Sequence, residues 1–178
     1  MKSQGSGRAF TFRKLPNFMN DRVKEKIAAR FGSQIESVNE YRNELTFIVK
    51  KNFINEICRF LRDEPELQFD TLRDLCGADY NQPVERFEVV YNLFSIKNKF
   101  RVRLKVRVEE SDLRVPTVTD VWIGADWSER ETYDMFGIIF DGHPDLRRIY
   151  MPEDFAHFPL RKDFPLMGIP GSLPLPRK

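Results

Sequence analysis

FRVRLKVRV, residues 100–108, settles the fold class of this chain. Phe100, Val102, Leu104, Val106 and Val108 alternate strictly with Arg101, Arg103, Lys105 and Arg107. Side chains leave a β-strand on opposite faces with period two, so one face is apolar and the other basic. A strand patterned this way is half-buried, with a core on one side and solvent on the other, as in an antiparallel sheet. The basic side is either a surface for an acidic partner or a phosphate backbone or, the favoured reading, a solvated face paired with cross-strand acids such as Glu85 and Glu88. It carries no interleaved aromatics for stacking on bases, which argues against nucleic acid.

Outward from that strand, residues 87–96 are rich in β-formers and join it through the turn Lys97-Asn98-Lys99. Residues 69–80 carry mixed signals: Leu72 and Leu75 suit a helical turn, Cys76-Gly77-Ala78 an irregular strand. Earlier, Val23, Ile27 and Phe31 recur every fourth residue, predicting a helix over 20–31 capped by Asn20 and stopped at Gly32. A weak strand over 34–40, a turn at Arg42-Asn43 and a strand over 45–49 form a hairpin. A second helix spans 52–62, with Phe53, Ile57, Phe60 and Leu61 on one face, and Pro65 ends it. Beyond the central strand, 113–116 reads as a connector and 118–123 as a short strand.

These elements give an α+β fold: a mixed or antiparallel sheet with two helices packed on it, over residues 1–125. Residues 126–178 follow as a short helix and a long, extended, proline-rich tail. Seven of the 11 prolines lie between Pro144 and Pro176, which excludes inner strands and helix interiors there. Phe155, Phe158, Phe164, Leu166 and Ile169 make the tail too apolar for a free linker. It lies either on a partner or on its own domain.

The 178 residues carry a net charge of +2, so no global charge points to nucleic acid or an anionic membrane. Cys58 and Cys76 form no C-x-x-C pair, which argues against a disulfide framework, a zinc site or a cysteine-held cluster. A reducing compartment fits this usage. No run of about 18 apolar residues exists, so no membrane-spanning helix is expected. The 16 phenylalanines exceed what a small core easily hides, and surface contacts with other proteins would use the surplus.

DWSERETYDMFGIIFDGHPDLRRIYMP, residues 126–152, is the densest mixture of charge and aromatics. Asp126 and Glu129 have capping-box spacing for a helix over 127–136, with Gly137 as its stop. Ile138 to Phe140 is an apolar run, Asp141-Gly142 a turn, and Pro144 opens a helical turn through Arg148. Three chemistries compete for the charges. Glu131, Asp134, His143 and Asp145 have metal-ligand types and would make a metal-dependent hydrolase, but their spacing matches no zinc or calcium pattern. Paired carboxylates for general acid–base work need a substrate pocket that the sequence does not display. An ion-pair network of the acids with Arg130, Arg147, Arg148 and Arg161 accounts for the near balance of sign and would register one protein against another.

At these residues the sequence resembles a known family. Glu129, Arg130, Glu131, Asp134, Gly137, Phe140 and the run from Gly142 to Arg148 fall on the signature E-R-E-x-x-D-(M/L)-(F/Y)-G-(I/V)-x-F-x-G-H-P-D-L-R-R. That signature marks the C subunit of respiratory complex I, the proton-pumping NADH:quinone oxidoreductase. PLRKDFPL, residues 159–166, is similar to the family's closing motif. His157 stands one place from the usual histidine, Phe155 where Trp is frequent, and Tyr150 where Leu is usual. The same signature occurs in the J subunit of chloroplast-type NDH complexes and in membrane-bound hydrogenases.

The resemblance implies a peripheral, non-catalytic subunit with no cofactor of its own, on the cytoplasmic side of a bacterial inner membrane. Iron–sulfur clusters, FMN and quinone would reside in the partner subunits. The main partner would be the D subunit, which holds the quinone site, with the B, I and G subunits as neighbours. Glu129, Arg130, Glu131, Asp134, Phe136 and His143 are then expected at the subunit interface. Asp145, Arg147, Arg148, Arg161, Lys162 and Asp163 complete that surface. On this reading Asp134→Ala or Arg147→Ala detaches the chain from its partner and leaves its fold intact.

Overall fold

The computed structural model describes residues 18–169. Helix α1 (Phe18–Phe31) leads through a 3-10 turn into the hairpin β1 (Ile35–Tyr41) and β2 (Glu44–Val49). A second 3-10 turn and helix α2 (Ile54–Asp63) follow, then β3 (Thr71–Asp79), β4 (Phe87–Ser95) and β5 (Phe100–Val108). The described residues finish with β6 (Arg114–Pro116), α3 (Ala125–Phe136), β7 (Ile139–Asp141) and an irregular segment up to residue 169.

Five strands form one sheet in the order β1-β2-β5-β4-β3. All neighbours are antiparallel except β2 and β5, which run parallel with Leu45 opposite Val102 and Val49 opposite Val106. The sheet is mixed, one of the two forms expected, through a parallel join that the patterning of β5 does not signal. On β5 the apolar set is buried and the basic set faces outward. Lys105 reaches Glu88 at 2.7 Å and Arg107 reaches Glu85 at 2.9 Å, the two acids expected to meet that stripe.

One apolar core joins Val23 and Ile27 of α1, Ile54, Ile57 and Leu61 of α2, and Met135 and Phe136 of α3 to the inward residues of the sheet. All three helices therefore cover the same face. Gly77 lets α3 come close: a Cβ there would lie 2.7 Å from the Phe136 ring, too near for any side chain. The Arg42-Asn43 turn has positive φ at both residues, 50° and 66°, which is the two-residue turn that matches strand twist.

Several boundaries depart from the sequence reading. Asn20 is not a cap. Phe18 and Met19 are already helical, and the Asn20 side chain is buried with no hydrogen-bond partner among the described residues. Residues 118–123 form no strand but a series of turns, while 114–116, taken as a connector, pairs in parallel with β7. Three-residue strands are too short to show a period, so the patterning cannot tell one from the other. Residues 69–80 resolve to β3, where pairing with β4 overrides weak local preference. The stretch after Pro144 makes no helical turn: the Asp145 N–H goes to His143 Nδ1 and the Arg147 N–H to Asp145 O, and the next N–H groups, from Ile149 to Met151, go to the buried Asp134 carboxylate. Phe18 alone among the described phenylalanines is exposed, so the apparent surplus goes largely into the core and the C-terminal segment.

Candidate functional site

The signature helix α3 begins one residue after Gly124 and ends at Gly137, which adopts φ 79° and donates its N–H to Tyr133 O at 2.8 Å. A left-handed stop of this kind suits glycine. Here a Cβ would also strike Phe158 and Arg161 at 2.7 and 2.8 Å. The capping box does not form. Gly124 occupies the cap with no side-chain bond, and Glu129 turns into the protein instead.

Asp134, fully buried in the last turns of α3, is the first node. It accepts the consecutive N–H groups of Ile149, Tyr150 and Met151 at 3.1, 2.7 and 3.0 Å, and Arg148 Nη1 at 2.8 Å. Burial alone would raise this carboxyl; the Met151 and Tyr150 N–H groups, the Arg148 guanidinium and the Ile149 N–H outweigh it and hold the pKa below the ordinary range. Arg148 also donates to His157 O at 3.2 Å and lies over the Phe158 ring at 5.1 Å. One carboxylate thus folds the GHPDLRRIYM stretch back against its own helix.

Asp79 and Arg86 make the second node, at the end of the β3–β4 hairpin. Arg86 donates to Asp79 at 2.8 and 3.0 Å, to Glu110 at 3.0 and 3.1 Å, and pairs with Asp163 at 3.1 Å. Asp79 also accepts the Lys162 N–H at 2.8 Å. Burial works against its ionised form, but Arg86 and the Lys162 and Asn81 N–H groups prevail and lower its pKa to about 2. Arg161 donates to Phe136 O at 2.7 Å, with Phe158 and Phe87 rings 4.5 and 5.1 Å away. Together these contacts staple the PLRKDFPL motif to the sheet edge.

Glu129 is the third node. Also fully buried, it accepts the Val118 N–H at 2.7 Å and the Thr117 hydroxyl at 2.5 Å. Burial pushes its pKa up to about 7, against the opposing pull of those two donors. Beside it, His143 Nδ1 accepts the Asp145 N–H at 3.0 Å, so Nε2 carries the hydrogen and meets Asp126 Oδ1 at 3.2 Å. Arg130 donates to Arg147 O at 3.2 Å and covers the Trp127 ring at 4.8 Å.

The sequence-predicted residues therefore separate into two groups. Glu129, Arg130, Asp134 and Phe136 are buried, and the His143 side chain is covered; with Arg148 and Arg161 they bind the chain to itself. Glu131, Asp145, Arg147, Lys162 and Asp163 are exposed. Glu131, Asp134, His143 and Asp145 do not converge, and among the described residues no group of three or more His, Cys, Asp or Glu is placed to hold a metal. Thr117, Asp79, Arg86 and Glu110 belong to the same scaffold but carry no sequence signal, because their partners lie far along the chain. Exposed apolar side chains frame the region: Ile123 at 89%, Trp127 at 64%, Tyr150 at 61%, Leu166 at 100% and Met167 at 94%. The arrangement is an internally bonded scaffold bordered by exposed charged and apolar side chains.

Comparison with known proteins gives the family of the chain. Residues 47–170 match the family described as "Respiratory-chain NADH dehydrogenase, 30 Kd subunit". The chain is 52% identical over 147 residues to the C subunit 2 of NADH-quinone oxidoreductase from Rhizobium meliloti, covering 83% of this chain and 80% of the relative. It is 50% identical over 147 residues to the C subunit of NADH-quinone oxidoreductase from a Roseiflexus species, covering 83% and 84%. Among solved structures it is similar to "Nqo5 of the trypsin-resistant fragment (1-134) in P63 form", with 34% identity, a TM-score of 0.59, and 71% and 98% of the two chains covered. A chain of the membrane-bound sulfane sulfur reductase, an archaeal respiratory membrane complex, shares the fold at 22% identity and TM-score 0.70, covering 84% and 87%. With signature, fold and relatives in agreement, the chain belongs to the family of the 30 kDa subunit of respiratory-chain NADH dehydrogenase, as the C subunit of an NADH-quinone oxidoreductase.

Proposed function

We propose that this chain works as a cofactor-free assembly subunit beside the quinone-reducing part of the complex, on the cytoplasmic side of the membrane. Its main partner is the D subunit, with the B, I and G subunits as neighbours; the quinone site, iron–sulfur clusters and FMN belong to partner subunits. One observation carries the reading: the buried acids and arginines of the signature are matched to donors and acceptors of the same chain. With its charges matched internally, the site serves shape, and it fixes an exposed rim. Glu131, Asp145, Arg147, Lys162 and Asp163, with Trp127, Tyr150 and the Leu166-Met167 tip, make the partner contacts. Residues 126–178 thereby act as the partner-binding part of the chain and residues 1–125 as its support.

The test is co-purification. Tagged chain drawn from native membranes brings down quinone-site and cluster-bearing subunits in equal stoichiometry. Recovery of the tagged chain alone, from cells that assemble an active complex, would overturn the proposal.

A further inference from the structure

The sheet face opposite the helices has no element of the described chain packed over it, and its two ends differ. Towards one end the outward bases of β5 are answered in place: Lys105 by Glu88 at 2.7 Å and Arg107 by Glu85 at 2.9 Å. Arg103, nearer the middle, is held by Asn92 at 3.0 Å and Glu44 at 3.2 Å. At the other end Arg101 and Arg73 have no carboxylate within ion-pair distance among the described residues. Arg73 sits at the β3 irregularity between Leu72 and Asp74, with its guanidinium 5.8 Å from the Phe94 ring.

Strand register brings further groups to this same end. Phe94 lies opposite both Arg101 and Thr71, and the β1–β2 turn stands beside the start of β5. Tyr41, beneath the Arg42 guanidinium, is 71% exposed, and Ile96, just past β4, is 62% exposed. The same end holds a depression of about 320 Å³ lined by Arg73, Asp74, Asn92, Arg101 and Arg103 among others. Arginine beside tyrosine and isolated apolar groups is the composition of interface anchors. Guanidinium groups without acids select planar carboxylates, which they hold through paired N–H groups.

We infer that this end of the sheet, centred on Arg73 and Arg101, is a second docking surface and receives an acidic segment of a neighbouring subunit. The inference rests on the reading of the chain as an assembly subunit. It places a contact on the face opposite α3, separate from the signature rim. The segment lays two or more carboxylates over Arg73 and Arg101 and an apolar side chain against Tyr41 or Ile96. Glu44 and Asp74 bound the depression and set where those carboxylates fall.

The experiment uses the intact complex, purified in detergent and washed with rising NaCl. The double variant Arg73→Glu, Arg101→Glu is expected to lower the salt concentration that releases half of this chain by about half or more, since the contact is exposed and screened. The isolated variant should unfold near the wild-type temperature, because both arginines are exposed and Arg73 makes only a distant ring contact. Separately, Arg101→Lys keeps the charge and supplies an amine, so a zero-length carbodiimide should couple it to a partner carboxylate and yield an intersubunit product. Equal salt release of variant and wild type, or no crosslink from Arg101→Lys, overturns the inference. Binding of the isolated wild-type chain to anionic vesicles that is lost in the double variant, with unchanged salt release from the complex, also overturns it in favour of lipid. Absence of the wild-type chain from the complex would instead overturn the assembly reading itself.

Discussion

Asp134 occupies a position where a charge survives burial only through its donors. Three backbone N–H groups and one guanidinium meet it, and deleting the carboxylate would leave the three N–H groups unpaired and Arg148 with only backbone carbonyls to bind. Loss of one partner from such an arrangement costs about 3–5 kcal/mol. Asp134→Ala is therefore expected to destabilise the isolated chain by that amount in chemical denaturation and to free residues 148–151. This replaces the expectation from sequence, in which the variant detaches the chain with its fold intact. Arg147, whose side chain is 64% exposed and meets Asp145 at 3.0 Å, keeps the original expectation: Arg147→Ala leaves the denaturation midpoint unchanged and weakens assembly. A wild-type midpoint for Asp134→Ala would show that the node contributes little.

At the scale of elements, Glu129 ties α3 to the turn at Thr117 and Val118, and this tether is sensitive to pH. Its folded-state pKa of about 7 stands above the ordinary glutamate value of 4.5, so the native state holds a proton that the unfolded chain releases earlier. The stability linked to that proton is complete below the unfolded pKa and disappears as pH rises through about 7, by up to about 3 kcal/mol. Glu129→Gln keeps an acceptor for the Val118 N–H and cannot ionise. The fall in wild-type stability between pH 5 and pH 8, read from denaturation midpoints, should be visibly shallower in the variant; parallel curves would refute the tether. Elements with a strong period were legible in the sequence: α1, α2 and β5 follow from their apolar spacing, and the α3 stop from Gly137. The parallel join of β2 to β5, the β6–β7 pair and the turns at 118–123 were not. They arise from pairings between distant segments, which no local pattern encodes. The charged stretch was legible as a functional region, but its inward and outward members were not, since both look alike in sequence.

For the whole molecule, the C-terminal segment changes character along its length. Residues 155–163 are held by the Arg148, Arg161 and Asp79 contacts, whereas Leu166 and Met167 stand almost wholly in solvent. Both alternatives for the tail, own domain and partner, thus have a place on it. Limited proteolysis of the isolated chain should cut beyond residue 164 and spare the 155–163 stretch, and the complex should protect both. Equal cleavage beyond 164 in the two states would exclude partner coverage of the tip.

The parallel pairing of β2 with β5 also has a consequence for biosynthesis. Leu45 and Val102 are register partners, as are Val49 and Val106, so β2 must be held for 57 residues before its central neighbour exists. At ribosomal rates of about 5–20 residues per second, that interval is roughly 3–11 s. During it Leu45, Phe47 and Val49, all buried in the finished protein, have only α1, β1 and α2 to shelter them. The nascent chain therefore keeps one hydrogen-bonding edge of an apolar strand unpaired until translation passes β5, which is an exposed pairing edge in the unfinished protein.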